Sequence, residues 1–325
     1  MSVEPLAEDS GSRGWRRFGR LARWLVPGAL LALLLWRIPL EELLLHLGEG
    51  PVGWLALYVV VQVGVTLVAD GVATRVALRL LGIERPLGTV LWVRGASYLL
   101  TVLNFLLGQG GIGIYLRRTG VPTAAAAGAA LFVTAGSLAT LLAVGVLAVF
   151  GWNVVAGAFS DEIAGLLPTV TALAVLGGFG AVVLARPPAI LRRRSWLAPL
   201  FAVSLADHGR AFAARLPHTL LLLLGHWGAL RLWGVPVPFG EGLALLAIVL
   251  LITALPIAPA GLGTFQAAQV WLLSGYVAGA AGEAKILSFS LVYHALGLVT
   301  QALFGAICLG PTLRAMAPSA AEGDG

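Results

Sequence analysis

Two glycine-rich segments interrupt long apolar stretches of the chain: residues 103–117, LNFLLGQGGIGIYLR, and residues 255–266, LPIAPAGLGTFQ. We refer to them as the first break and the second break. Because the interior of a membrane provides no hydrogen-bonding partner for an interrupted helix, non-helical chain at membrane depth occurs only where protein or a water-filled cavity surrounds it. A pair of such breaks, one in each half of the chain, is typical of the substrate site of a transporter.

The composition is that of a protein that crosses the membrane several times. Of the 325 residues, 59% are hydrophobic and 11% are charged, and the mean hydropathy is +0.93. Soluble domains carry about 25% charged residues, and a spanning helix needs about 20 apolar residues. Uncharged runs of at least this length occupy residues 95–116, 119–160, 163–185, 242–282 and 286–313. We therefore expect no sizeable soluble domain.

Several function classes are disfavoured by the sequence. The single Cys308 excludes an internal disulfide. Residues 108–113, GQGGIG, match the dinucleotide pattern G-x-G-x-x-G, but the strand, the βαβ unit and the downstream acid that this pattern needs are missing. No triad, metal-ligand or phosphate-loop spacing is present, so we expect no cofactor and no metal. The net charge of +6 indicates orientation and attraction to anionic lipid rather than binding to nucleic acid.

The distribution of charge along the chain predicts the topology, because short loops rich in Arg and Lys stay in the cytoplasm. Basic clusters at 13–23, 75–85, 117–118, 186–194 and 314 alternate with acidic links at 41–49, 161–162, 241 and 283. One arrangement satisfies them all, with spans at about 21–38, 52–70, 121–150, 163–186, 214–235 and 285–309, and with re-entrant hairpins at 88–117 and 240–278. Two full crossings in either hairpin segment preserve the pattern, so eight spans remain an alternative.

The predicted fold is an all-α polytopic membrane protein with about six to eight transmembrane helices and two re-entrant helical hairpins in an inverted repeat. A basic cytoplasmic tail at 1–20 precedes a retained first span, since no signal-peptide cleavage site follows it. A single transmembrane domain covers 21–310, with halves at about 21–150 and 163–310 that cross in opposite senses. Residues 311–325 are predicted to form a short disordered cytoplasmic tail.

Glycines and arginines near the first break are candidate binding residues. Gly110, Gly111 and Gly113 favour a sharp turn with positive φ and close approach of backbone, or alternatively helix packing alone. The N-terminus of a half-helix there would present N–H groups to an anion. Arg94 would bind a phosphate or extend to the membrane interface. Arg117 would bind a phosphate bidentately or only set the topology.

Further ionisable residues lie in or beside the predicted spans. His226 and His294 fall near the middle of predicted spans, where each would relay protons or form a neutral hydrogen bond to a neighbouring helix. The stretch 196–215 is predicted to form an interfacial amphipathic helix, with Arg210 and Arg215 on lipid headgroups. Asp70 is predicted to end the second span.

The two breaks resemble the motifs of the transmembrane flippase-like family of lysylphosphatidylglycerol synthases, and the resemblance covers roughly residues 20–310. The matching residues are Asn104, the glycines and Arg117 in the first break, and Leu255, Pro256, Ile257, Gly261, Leu262 and Gly263 in the second. The sequence departs from the family pattern at three positions. Gly108 stands where a proline is usual, Ile114 where an acid falls and Gln266 where a glutamate falls.

The resemblance implies that a phospholipid or lipid-linked headgroup moves between leaflets of the plasma membrane. It implies anionic or phosphate-bearing lipids as partners and no lipid lysylation, because the soluble aminoacyl-transferase domain is absent from the sequence. The substrate-binding residues would be Asn104, Gln109, Gly110, Gly111, Gly113, Arg117, Arg94, Pro256, Gly261, Gly263 and Gln266. Because both motif carboxylates are missing, a non-transporting scaffold or regulatory subunit is an alternative. An intramembrane lipid transferase is a further one, although it would need a carboxylate or metal site.

Overall fold

The computed structural model describes residues 31–156, 161–254, 261–278 and 281–317, and within these ranges the chain is helical with no strand. The all-α prediction is therefore confirmed for the described residues. Residues 31–37 are helical, and they are followed by α1 (Leu40–Glu49), α2 (Val52–Leu80), α3 (Leu87–Thr101), α4 (Phe105–Arg118), α5 (Thr123–Ala156), α6 (Asp161–Ala185), α7 (Ala189–Arg192), α8 (Ala198–Ala202), α9 (Leu205–Leu232), α10 (Phe239–Ala254), α11 (Thr264–Leu273), a 3₁₀ turn (Ser274–Tyr276) and α12 (Gly282–Met316).

Four helices of the described chain are long and apolar enough to cross a membrane. The qualifying segments are Val52–Leu80, Thr123–Gly151, Leu167–Ala185 and Gly282–Met316. They coincide with four of the predicted spans, so the protein is a multi-pass membrane protein. The predicted span at 214–235 lies in α9, which is 28 residues long but less apolar. Most of the predicted first span lies outside the described residues.

Three boundaries differ from those predicted. Helix α2 continues to Leu80, so that Asp70 lies inside the helix and is 2% exposed. Helix α12 continues to Met316, past the predicted start of the tail at 311, and the tail beyond 317 lies outside the described residues. The third difference is that α9 begins at Leu205, inside the helix predicted at 196–215.

The predicted interfacial helix at 196–215 is wrong. Only the short helix α8 is separate, and α9 begins at Leu205, where Ser204 Oγ accepts a hydrogen bond from the Asp207 backbone N–H at 3.1 Å. Arg210 is exposed and pairs with Asp207 at 2.8 Å, whereas Arg215 is 3% exposed inside the protein. Arg215 is buried because a buried carboxylate on α2 binds it, which outweighs its attraction to lipid headgroups.

The first break joins α3 to α4 at residues 102–104. Asn104 has extended backbone, and its side-chain Oδ1 accepts a hydrogen bond from the Leu106 N–H at 2.9 Å. This hydrogen bond caps the start of α4, because the first N–H groups of a helix have no partner within it.

The glycines of the first break lie within α4 and not in the turn. None of Gly108, Gly110, Gly111 and Gly113 has positive φ, so the predicted glycine turn at this break is wrong. A Cβ at Gly108 would contact Thr101, and a Cβ at Gly111 would contact Ser97. This order of contacts shows that α3 and α4 run antiparallel. Gly113 faces α5 in the same way, so packing explains three of the four glycines.

The second break separates α10 from α11, and residues 255–260, including Pro256, lie outside the described residues. Gly261 has φ of 72° and Gly263 has φ of 78°, values that residues with a Cβ adopt only at a cost. Positive φ was predicted for the glycines of the first break and is found instead at the second break. The Gly263 N–H donates to Gln266 Oε1 at 2.7 Å, which stabilises the first turn of α11.

Charges of opposite sign gather at opposite ends of the helices. At the basic end, Arg85 Nη2 donates to Thr119 Oγ1 at 3.3 Å, which joins the loop before α3 to the residue that follows α4. At the acidic end, Arg37 Nη2 donates to Glu283 Oε1 at 2.8 Å. Between the two ends, α12 packs on α2 and α3, and α9 packs on α2. Residues of both breaks line a space between these helices.

Candidate functional site

Both breaks line one cavity of about 310 Å³ inside the helix bundle. Asn104, Phe105 and Gln109 line it from the first break. Gly261 and Phe265 line it from the second break. Helices α2, α3, α5, α9, α10 and α12 supply the remaining walls. Two segments that are about 150 residues apart in the sequence thus contribute to the same site.

A buried ionic cluster of Asp70, Arg94 and Arg215 lies beside this cavity. Asp70 Oδ2 accepts a hydrogen bond from Arg94 Nε at 2.5 Å, and Asp70 Oδ1 accepts one from Arg215 Nη1. The three side chains are only 3–5% exposed. Because a guanidinium does not lose its proton in proteins, two cations share one carboxylate. The ionic cluster therefore carries one excess positive charge.

Arg94 carries an N–H group without a hydrogen-bond partner among the described residues. Its Nη2 donates to Gln109 Oε1 at 3.2 Å, and its Nη1 is buried with no hydrogen-bond partner among the described residues. Arg94, Asp70 and Gln109 all line the cavity. Because an unpaired buried donor is unfavourable, an anion at this position would be stabilised.

The N-termini of two helices add positive potential. Asn104 and Phe105 mark the start of α4, and Gly261 and Phe265 flank the start of α11, and all four line the cavity. A helix N-terminus carries about half a positive charge and unpaired N–H groups. Both helix ends therefore favour an anion in the cavity.

A second part of the cavity is aromatic. The ring centroids of His226 and Tyr293 are 4.7 Å apart, and those of Phe265 and His294 are 4.8 Å apart. We call these four residues the aromatic cluster, and all of them line the cavity. The Tyr293 hydroxyl donates to Gln62 Oε1 at 3.0 Å. The cavity thus combines a cationic part with an uncharged part of aromatic rings and amides.

The two histidines proposed as proton relays are each bonded to an amide. His226 Nε2 lies 3.4 Å from Gln269 Oε1, and His294 Nδ1 lies 3.1 Å from Gln266 Nε2. Since an amide does not titrate in this range, these contacts favour the alternative of hydrogen bonds between neighbouring helices. Gln266 also holds the start of α11, which gives this position a structural role.

The structure brings some of the predicted site residues together and separates others. Those that line the cavity are Arg94, Asn104, Gln109, Gly261, His226 and His294. Gly111 and Gly113 pack against neighbouring helices, and Gly263 binds Gln266. Gly110 has no neighbour at its Cβ position, and Arg117 is exposed in the last turn of α4. Pro256 lies outside the described residues.

Sequence reasoning missed Asp70 and Arg215 as site residues. It also did not single out Gln62, Tyr293 or Gln301, all of which line the cavity together with Asp70. The first two were detectable, because an ionisable residue in an apolar span is a functional candidate by default. The uncharged three carry no such signal, since polar residues are scattered through many helices.

In the part of the chain that the structure describes, long apolar helices surround a cavity that contains charged and polar side chains, which defines a class of multi-pass membrane protein with a polar site in its helix bundle. The chain belongs to a family of this class: the family model described as the lysylphosphatidylglycerol synthase TM region matches residues 21–305. The resemblance drawn from the two breaks is confirmed by this match. The comparison with curated proteins finds no match.

Proposed function

We propose that the protein moves the headgroup of a phospholipid or lipid-linked compound between the leaflets of the plasma membrane. The observation that carries this proposal is the cavity that both breaks line, beside which Arg94 has an unpaired N–H group. The membership in the lysylphosphatidylglycerol synthase TM family supports a role that involves membrane lipids. The cavity volume of about 310 Å³ suits a headgroup, since small-ligand sites measure about 300–1,000 Å³.

An anionic headgroup fits the charge of the site. Removing a charge from water costs several kcal/mol per ion, and Asp70 balances only one of the two arginines. A phosphate oxygen at Arg94 Nη1 would neutralise the excess charge and accept a charge-assisted hydrogen bond. The N-termini of α4 and α11 would favour the same anion.

The proposed route needs the breaks to lie within the membrane. Helices α3 and α4 have 15 and 14 residues, which at 1.5 Å per residue gives about 22 Å each. This is shorter than the membrane core of about 30 Å. The lengths and the antiparallel packing support a re-entrant hairpin in the first half. Helices α10 and α11, with 16 and 10 residues, are its counterpart in a proposed inverted repeat.

The charge asymmetry supports the orientation. Basic residues surround the ends of α2, α3, α4 and α12 that meet at one side, namely Arg75, Arg79, Arg85, Arg117, Arg118 and Arg314. By the positive-inside rule this side is cytoplasmic. The C-terminus would then lie in the cytoplasm, as would the N-terminus in the predicted topology.

Lipid exchange in reconstituted vesicles tests the proposal. We expect the protein to move a fluorescent anionic phospholipid between leaflets, and Arg94→Gln to lower the rate about 10- to 100-fold, because a hydrogen bond to a charged group contributes about 1.5–3 kcal/mol. Arg118→Gln is the matched control, since Arg118 is exposed in the last turn of α4 and was not predicted to bind substrate. Its rate should equal that of the wild type.

Two outcomes would contradict the proposal. In the first, folded Arg94→Gln protein exchanges lipid as fast as the wild type, so that the cavity is not the route. In the second, the wild type exchanges no lipid and co-purifies with a stoichiometric partner. That result would favour the scaffold alternative.

A further inference from the structure

The geometry points to a headgroup that carries an uncharged polyol or sugar beside its phosphate, and not an ammonium group. This inference rests on the proposed function, because it names the substrate class of the same site. It depends on how charge, hydrogen-bonding groups and rings are distributed around the cavity.

No carboxylate of the described lining is available to an ammonium group. Asp70 is the one acid among the described lining residues, and both of its oxygens are bonded to arginines. The phosphate of the headgroup neutralises the excess positive charge of the ionic cluster, and no further negative charge in the described lining attracts an ammonium group. A headgroup that bears both phosphate and ammonium would therefore find only one of its charges matched.

The aromatic cluster does not provide the cage that would otherwise bind an ammonium group. The ring of Tyr293 lies at 27° to His226 and at 18° to both Phe265 and Phe289, with centroids 4.7–6.4 Å apart. The ring of Tyr293 is thus stacked against three neighbouring rings, whereas His294, the remaining ring of the aromatic cluster, is tilted at 59° to Phe265. Cation–π recognition of an ammonium group needs ring faces turned towards the cation.

Uncharged hydrogen-bonding groups provide what hydroxyls require. Gln301 lines the cavity, and its Oε1 is buried with no partner among the described residues. A hydroxyl can both donate and accept a hydrogen bond. A ligand hydroxyl would therefore satisfy the side-chain amide of Gln301 whichever of its two terminal atoms is the oxygen and whichever is the nitrogen. Further hydroxyls of the lining are supplied by Thr66, Thr101, Ser137 and Thr253.

The spacing of the two unpaired groups suits one ligand. Helix α12 packs on α3 with Cys308 at the level of Gly95, beside Arg94. Gln301 lies seven residues before Cys308 on the same helix, which is about 10 Å along the helix axis. A phosphate at Arg94 with a ring-sized or glycerol substituent reaching towards Gln301 would contact both groups.

Binding of soluble headgroup analogues to the purified full-length protein tests the inference by isothermal titration calorimetry. The probes are glycerol 1-phosphate, inositol 1-phosphate, phosphoethanolamine, phosphocholine and inorganic phosphate. We expect the two polyol phosphates to bind at least about tenfold more tightly than the two amines. Gln301→Leu should weaken the polyol phosphates about 3- to 10-fold and leave inorganic phosphate unchanged, because one neutral hydrogen bond is lost.

Thr300→Val is the matched control, since Thr300 neighbours Gln301 but does not line the cavity. It should bind all probes like the wild type. Amines that bind as tightly as polyol phosphates, or a Gln301→Leu variant that weakens every probe equally, would overturn the inference. Vesicles that contain phosphatidylinositol or phosphatidylglycerol show whether the ligand is a lipid headgroup or a soluble compound. If it is a lipid headgroup, the protein exchanges these lipids between the leaflets.

The two proposals fail in different ways. Polyol selectivity without leaflet exchange would refute transport and leave the ligand class standing. Leaflet exchange of all anionic and zwitterionic lipids at equal rates would support transport and overturn the ligand class.

Discussion

Asp70→Asn should destabilise the protein strongly, because one carboxylate serves two buried arginines. The substitution keeps the shape of the side chain but removes its charge, so that the excess charge of the ionic cluster rises from one to two. Removing one partner of a buried ion pair costs about 3–5 kcal/mol, and here Arg94 and Arg215 both lose their partner. We expect the free energy of unfolding to fall by at least this amount.

Arg215→Gln should cost less, about 1–3 kcal/mol, because it leaves Asp70 paired with Arg94 and removes the excess charge. The cost of Asp70→Asn should also be smaller in the Arg215→Gln background, by about 1–3 kcal/mol, since only one cation is then left unpaired. This coupling distinguishes a shared charge cluster from two independent contacts.

Unfolding by sodium dodecyl sulfate in mixed micelles, followed by the fluorescence of the 10 tryptophans, measures these differences. Glu283→Gln is the control, because its partner Arg37 is 69% exposed and such pairs contribute less than about 1 kcal/mol. Equal costs for Asp70→Asn and Glu283→Gln would refute the reasoning. Strictly additive costs for the Asp70 and Arg215 substitutions would also contradict it.

Two further substitutions test the breaks by thermal unfolding in detergent. Gly111→Ala should lower the free energy of unfolding by about 1–3 kcal/mol, because the new Cβ would lie 2.8 Å from Ser97 Cβ. The control Gly110→Ala has open space at its Cβ and should be neutral or up to about 1 kcal/mol stabilising. Equal effects of the two substitutions would mean that the glycines do not set the distance between α3 and α4. Gln266→Leu should lower the free energy of unfolding by about 1–3 kcal/mol, because it leaves the buried Gly263 N–H without its acceptor. Unchanged stability would show that this hydrogen bond does not hold the start of α11.

Local patterns predicted the helices and the positions of both breaks. Apolar runs of sufficient length predicted four spans, and each coincides with a helix that is long and apolar enough to cross a membrane. Arg94 and Gln109 were also singled out from sequence, and both line the cavity. At the first break the sequence left two explanations for the glycines, and only the contacts of Gly111 with Ser97 and of Gly108 with Thr101 decided for packing.

Composition alone determined that this protein lies in the membrane. The free energy of transferring an apolar helix from water into lipid depends on the number and order of its apolar residues, and not on which helices it packs against. The motifs of the two breaks determined the family. The ionic cluster was decided by tertiary structure alone. Asp70 and Arg215 are 145 residues apart and appear in the sequence as two isolated charges. They became one site because α9 packs on α2, and a charge buried there is stable only beside its partner.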